Sequence, residues 1–211
     1  MLCLVVQQQL FSIKPAAAQV PGFRLREGYL TTSEESQLLE HIDQQPWRND
    51  WRRRIQVYGV SYGSPRDTTT AQSLPFPPWL QTVAERVAAE PEFHRIPENC
   101  VINEYIPPLG IGSHKDFPQF GPVVACVSLA SDIVMELRHP ARDERIEILV
   151  PRRSLWMLGG EARSDWEHGI PARLTDVIHG VKQPRERRVS VTFRTLLTVS
   201  QESASAPSEL K

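Results

Sequence analysis

The chain has little cysteine, no long apolar run and almost no net charge. Its 211 residues include 3 cysteines, Cys3, Cys100 and Cys126, an odd number without CxxC spacing. That signals neither a disulfide framework nor a cysteine zinc site, so a reducing, cytoplasmic setting is expected. No apolar stretch approaches the length of a membrane span. The run Met1-Leu2-Cys3-Leu4-Val5-Val6 has no basic start and is interrupted by Gln7-Gln8-Gln9, so a secretory signal is not expected. A formal net charge of −1 gives no global pull toward nucleic acid or anionic lipid, and any such binding must rely on a local patch. Hydrophobic content of 40% and charged content of 23% are ordinary for one globular domain with a sizeable core. A monomer is the expectation, and no internal repeat is visible.

Two helices are predicted in the N-terminal half. Thr31-Thr32-Ser33-Glu34-Glu35 reads as a helix start, with capping residues followed by acids that suit the positive end of the dipole. Leu38, Leu39 and Ile42 give this helix an apolar stripe, and Pro46 ends it. Pro77-Pro78 opens the second, with Trp79, Leu80, Val83, Ala84 and Val87 at helical spacing. Residues 54–60 alternate polar and apolar as a half-buried strand does. From Cys100 onward the pattern is short β-rich runs at 101–106, 123–130, 133–138, 146–150, 154–158 and 189–197. Several short strands with turn signals between them predict a sandwich or jelly roll. The fold class is therefore α+β, with N-terminal helices packed on a jelly-roll core. The division expected is an extension over 1–20, one domain over 21–199 (helices and a lid region over 21–99, the β core over 100–199) and a disordered Ser/Ala/Glu-rich tail over 200–211.

The chemistry is carried by Gly112-Ser113-His114-Lys115-Asp116 together with His168. Alone, a His-x-Asp pair is a weak motif and most histidines are packed or solvated side chains. Two imidazoles and one carboxylate, however, occupy one face of Fe(II) and leave positions for a co-substrate and for O2. In extended backbone His114 and Asp116 point the same way, and Gly110 and Gly112 let the chain turn there. Alternation also places Arg188, Ser190, Thr192 and Arg194 on one face of the last strand, with Val189, Val191 and Phe193 on the other. Two guanidiniums facing a sandwich interior are costly unless an anion binds there, and guanidinium is the planar partner of a carboxylate. A dicarboxylate co-substrate fits. Asn103 and Tyr105 share a face and can add hydrogen bonds. Read individually, Arg188 and Arg194 would more often be surface arginines, and Asn103 and Tyr105 core or turn residues.

Taken together, Asn103-Glu104-Tyr105, Gly110-Ile111-Gly112-Ser113-His114-Lys115-Asp116, Trp166-Glu167-His168-Gly169-Ile170 and Arg188-Val189-Ser190-Val191-Thr192-Phe193-Arg194 resemble the AlkB family of Fe(II)- and 2-oxoglutarate-dependent dioxygenases. The stretch from Phe120 to Pro140 looks closest to the dioxygenase domain of the tRNA wobble-uridine-modifying branch and its single-domain bacterial relatives. The resemblance implies a double-stranded β-helix with Fe(II) on His114, Asp116 and His168. It implies 2-oxoglutarate with its far carboxylate on Arg194, the rest of the pocket being Asn103, Tyr105, Arg188 and Ser190. It also implies oxidative decarboxylation to succinate and carbon dioxide, coupled to hydroxylation of a substrate C–H bond. Ser190 stands where many members carry Asn, and the RNA-binding and methyltransferase domains that accompany the tRNA-modifying members are not in this sequence.

For the substrate, Arg48, Trp51, Arg52, Arg53 and Arg54 cluster with Trp47, Tyr58 and Tyr62. The family resemblance makes this region a nucleotide lid, and Arg beside aromatics suits phosphate contacts plus base stacking. The competing reading has Trp47 and Tyr58 as core and the Arg run as a solvated edge that discourages strand pairing. Three classes stay open: a demethylase of alkylated bases in single-stranded or locally opened DNA or RNA; a same-fold enzyme acting on tRNA, a protein or a small molecule; and a non-catalytic binding module.

Overall fold

The structure, a computed structural model, describes residues 20–49, 52–60 and 74–197. The expected N-terminal extension, the C-terminal tail, Trp51 and Tyr62 lie outside the described residues, apart from Val20.

Among the described residues, twelve strands and three helices are arranged mainly as two facing antiparallel sheets with the helices packed around them. The larger sheet runs β1 (Phe23–Arg26), β8 (Ser154–Leu158), β5 (Phe120–Leu129), β12 (Arg188–Leu196), β3 (Asn99–Tyr105) and β2 (Ile55–Gly59). The smaller runs β4 (Ile111–His114), β9 (Glu167–Ile170), β6 (Ile133–His139) and β7 (Glu144–Val150). A two-stranded hairpin, β10 (Thr175–Ile178) with β11 (Val181–Pro184), stands apart.

Helix α1 (Thr32–Asp43) starts where its caps predict. The Thr31 hydroxyl accepts from Glu34 N at 3.2 Å, while the Glu34 carboxylate accepts from Thr31 N at 2.7 Å. This reciprocal box satisfies two backbone donors that the helix start leaves open. Its acid at Glu35 is buried and held by Arg152 at 2.7 Å and by Ala130 N at 2.9 Å. Helix α2 (Pro78–Ala88) buries Leu80, Ala84 and Val87. These side chains join Leu38 and Ile42 against Ile102, Val127, Val191 and Phe193 of the larger sheet. The opposite face of that sheet meets the smaller one through Tyr105, Cys126 and Trp156 against Met135, Leu137 and Ile148. The larger sheet is thus a central layer, greasy toward the helices and mixed toward the smaller sheet.

Strand β12 shows this division best. Val189, Val191 and Phe193 are fully buried on the helix side, whereas Arg188, Ser190, Thr192 and Arg194 line a cavity between the sheets. Its register puts Ser190 opposite Asn103 and Ser128, and Arg188 opposite Tyr105. The side chains that the sequence groups by alternation are therefore neighbours across three strands.

Candidate active site

The two histidines meet because β4 and β9 pair antiparallel with His114 directly opposite His168. The pairing slips between Ile111 and His114, where three residue steps on β4 span two on β9. That bulge turns both Ile111 and His114 toward the cavity, whereas strict alternation would point them to opposite faces. Gly110 works here through close approach: a Cβ on it would sit 2.1 Å from the Ile170 carbonyl oxygen. At Gly112 a Cβ would meet nothing within 4 Å, so the freedom expected there is not what shapes the loop.

The imidazole rings lie 4.4 Å apart between centroids. His114 Nδ1 is 2.9 Å from the Gly112 carbonyl oxygen. A carbonyl only accepts, so Nδ1 carries the proton and Nε2 is left as the lone-pair donor. His168 Nε2 is 3.7 Å from Asp116 Oδ2. Burial, only partly opposed by Asp116, holds the His168 imidazole at about 3, so it is neutral and fit to ligate. Burial alone would raise the Asp116 carboxyl, but Arg194, His168, His114 and Arg163 together bring it down to about 2.

The second oxygen of Asp116 provides the test of fit to a metal. Oδ2 is buried and has no hydrogen-bond partner, although it belongs to an ionised carboxylate beside two imidazoles. An orphaned anionic oxygen of this kind is costly, and a cation held with the two ring nitrogens would satisfy it. His114, Asp116 and His168 thus form a donor set suited to a divalent iron with open positions.

The arginines divide differently from expectation. Arg194 donates through Nε and Nη2 to Asp116 Oδ1, at 2.7 and 2.6 Å, and through Nη1 to Asn99 at 3.3 Å. Its guanidinium is taken up by a candidate metal ligand, so it orients Asp116 rather than offering a free fork to a distal carboxylate. Of the two, Arg188 is the one with no acid partner among the described residues. It is 2% exposed, donates Nε to Ser128 Oγ at 3.1 Å and sits 5.3 Å from the Tyr105 ring centre. Among the described residues no carboxylate pairs with it. It lines the cavity of about 50 Å³ that His114 and His168 also line, with Asn103, Tyr105 and Ser190 on the same wall. Trp156, another lining residue, has a buried indole N–H with no acceptor.

One contributor had no sequence signal. Arg163, on the short helix α3 (Gly160–Ser164), donates to the backbone carbonyls of Asp116 at 3.2 Å and Phe117 at 2.8 Å. It straps the loop that carries the carboxylate.

The expected lid residues separate into two groups. Arg52 and Arg53 line a groove of about 820 Å³ beside the cavity, and Arg53 Nε also donates to Asn103 at 2.8 Å. Arg54 turns away: it forks onto buried Glu104 at 2.5 and 2.7 Å and lies 5.0 Å from the Trp47 ring centre. Tyr58 is 1% exposed, donates to Gln56 at 3.0 Å and packs edge-on against Trp79. Burial of Tyr58 takes it away from any substrate, whereas Arg54 keeps an exposed side chain but is committed to Glu104. Residues on the outer face of the smaller sheet also line the groove. On β6, Met135 points into the cavity and Leu137 into the core, so Glu136 and Arg138 face the groove. Arg138 stands directly opposite Arg145, and Glu136 opposite Glu147. Like charges placed directly across a ladder are unfavourable. Arg145 turns to Glu136 at 2.9 Å and Arg173 to Glu147 at 3.2 Å, which leaves Arg138 exposed with no acid partner among the described residues.

Comparison with known proteins decides the class. The family model described as the 2OG-Fe(II) oxygenase superfamily matches residues 50–194. The chain belongs to that superfamily. It is an AlkB-like dioxygenase, an oxidoreductase whose cofactors are Fe(II), 2-oxoglutarate and O2. It is 33% identical over 187 residues to the uncharacterized protein L905 of Acanthamoeba polyphaga mimivirus, covering 86% of this chain and 88% of that one. It is 30% identical to the mouse tRNA (carboxymethyluridine(34)-5-O)-methyltransferase ALKBH8 over 77% of this chain, but spans only 26% of that larger protein. A zebrafish protein named probable RNA/DNA demethylase ALKBH6 is 26% identical, with 90% of this chain and 91% of its own covered. The solved structure of OsALKBH1 shares the jelly-roll fold at a TM-score of 0.63 and 17% identity, over 83% of this chain and 98% of that one. No helix among the described residues is long and apolar enough to cross a membrane.

Proposed function

We propose that this dioxygenase oxidatively demethylates alkylated bases in single-stranded or locally opened nucleic acid. His114, Asp116 and His168 would hold Fe(II), and Arg188, with Tyr105, Asn103 and Ser190, would hold the far carboxylate of 2-oxoglutarate. The observation that carries the co-substrate reading is Arg188 itself: a buried guanidinium with no acid among the described residues, in a cavity shared with the candidate ligands. A charge taken out of water needs a counter-charge, and a small dicarboxylate would supply it while reaching the metal with its other end. When bound, Fe(II) supplies the O2-dependent oxidation that couples decarboxylation of the oxoacid to attack on a substrate C–H bond. The chain's own contributions are placement and charge. Arg194 and Arg163 hold Asp116, the Gly112 carbonyl fixes the His114 tautomer, and burial keeps His168 neutral.

The nucleic-acid part rests on the groove and on the relatives. Arg52, Arg53 and Arg138 present cationic donors along an open groove that shares Ile111, Gly169 and Ile170 with the cavity wall. Such a line suits a phosphodiester backbone, and the names of the mouse and zebrafish relatives refer to tRNA and to RNA or DNA. The test is to load the protein with Fe(II) anaerobically, then measure succinate and formaldehyde aerobically with methylated and unmethylated single-stranded DNA and RNA oligonucleotides. Formaldehyde in step with succinate, only with methylated oligonucleotide, is expected. Succinate that no oligonucleotide stimulates would turn the search to protein or small-molecule substrates.

A further inference from the structure

A second group of metal-type ligands lies away from the iron ligands. His139 closes β6, while Glu161 and Asp165 sit one turn apart at α3, where Asp165 N donates to the Glu161 carbonyl at 2.9 Å. One ligand atom from each of the three side chains lies within 4.8 Å of the others. In the sequence His139 reads as an ordinary packed or solvated histidine. The structure makes it more than that. It is 6% exposed, its ring stands edge-on to Trp166 at 5.2 Å, and its Nδ1 is buried with no hydrogen-bond partner. A buried nitrogen left unpaired is unfavourable.

The carboxylates add to the imbalance. Two acids and an imidazole converge, and among the described residues the one cation paired with them is Arg142, 2.9 Å from Glu161 Oε1. Trp166 Nε1 donates to the same Oε1 at 3.3 Å. Among the described residues exposed Asp165 has no ion pair.

We propose that His139, Glu161 and Asp165 form a second divalent-cation site, distinct from the iron centre and structural in role. One imidazole and two carboxylates suit Zn²⁺ or Mn²⁺, whereas Mg²⁺ and Ca²⁺ favour oxygen alone. Water would complete the coordination on the exposed Asp165 side. The position explains the use of such a clip. It ties α3 to the end of β6, and α3 carries Arg163, which holds the Asp116–Phe117 backbone, and leads into β9 with His168. A cation here would stiffen the approach of two iron ligands without touching the reacting atoms.

The test titrates the metal-stripped full chain with Zn²⁺ and counts bound equivalents by equilibrium dialysis and elemental analysis. Wild type is expected to bind two, Asp165→Ala one, His114→Ala one, and the double variant none. Asp165 is exposed, so its loss leaves the core intact. Melting of His114→Ala should shift upward with Zn²⁺, and that of the double variant should not. Wild type binding a single equivalent, or Asp165→Ala binding as many as wild type, would overturn the proposal. Two equivalents retained by His114→Ala, with one in Asp165→Ala, would instead count against the iron ligand set and leave this site standing.

Discussion

Arg185 and Arg188 are three residues apart, and both are removed from solvent, but only Arg185 is given an anion by the fold. Its Nε and Nη2 fork onto Asp176 at 2.8 Å each, its Nη1 donates to the Pro171 carbonyl at 2.6 Å, and Asp176 also accepts from Arg173 and from Val134 N. This closed network pins the β10–β11 hairpin to β6. Arg188 has one hydroxyl, one aromatic face and a cavity. The contrast separates scaffold from site: a buried cation whose charge is balanced internally stabilises a fold, and one whose charge is left open awaits a ligand.

The largest effect is expected on the scaffold side. Arg185→Ala leaves Asp176 buried without its principal partner and should cost about 3–5 kcal/mol of stability in urea unfolding. A loss under about 1 kcal/mol would remove the contrast. On the site side, Arg188→Met should leave unfolding unchanged or shifted to higher denaturant, since it replaces an uncompensated charge by an apolar chain. It should weaken 2-oxoglutarate binding about 100-fold, or ~2.7 kcal/mol, by calorimetry. A large stability loss would show that Arg188 is scaffold after all.

Acid sharpens the same comparison. Burial alone would raise the Asp176 carboxyl, but hydrogen bonds from Arg185, Arg173 and Val134 hold it below the usual carboxylate range. Its contribution to stability is therefore complete above its unfolded pKa of about 4 and is lost as pH falls through the lower folded value. Wild type should lose stability over that interval, and the Arg185→Ala acid limb should be shallower. The smallest effect is expected at Arg138. Arg138→Ala should weaken single-stranded oligonucleotide binding only a few-fold and reduce the salt slope by about 1. An unchanged salt slope would remove Arg138 from the phosphate path.

The sequence made much of this visible where local periodicity decides the outcome. The α1 start follows from Thr31 and Glu34, and the two faces of β12 follow from simple alternation between Val and polar residues. The convergence of His114, Asp116 and His168 was legible from residue type, but its means was not. The β4 bulge that turns His114 inward carries no marker, because Gly112 has open space around it and Gly110 serves close packing. The partner of Arg194 was equally hidden, since which of two arginines meets Asp116 depends on strand register rather than spacing. Arg54 and Tyr58 show the limit of composition. An Arg-aromatic cluster looks the same whether it faces a ligand or, as here, Glu104 and Trp79. The β10–β11 hairpin escaped notice because its exposed, mixed residues lack a clean period.

The most direct test of the central claim is calorimetric binding of 2-oxoglutarate and of 2-oxopentanoate, which lacks the far carboxylate, to metal-loaded wild type and Arg188→Met. If Arg188 seats that carboxylate, wild type discriminates about 100-fold and the variant binds both ligands with similar weak affinity. Discrimination that survives in Arg188→Met would contradict the account and return the carboxylate to Arg194.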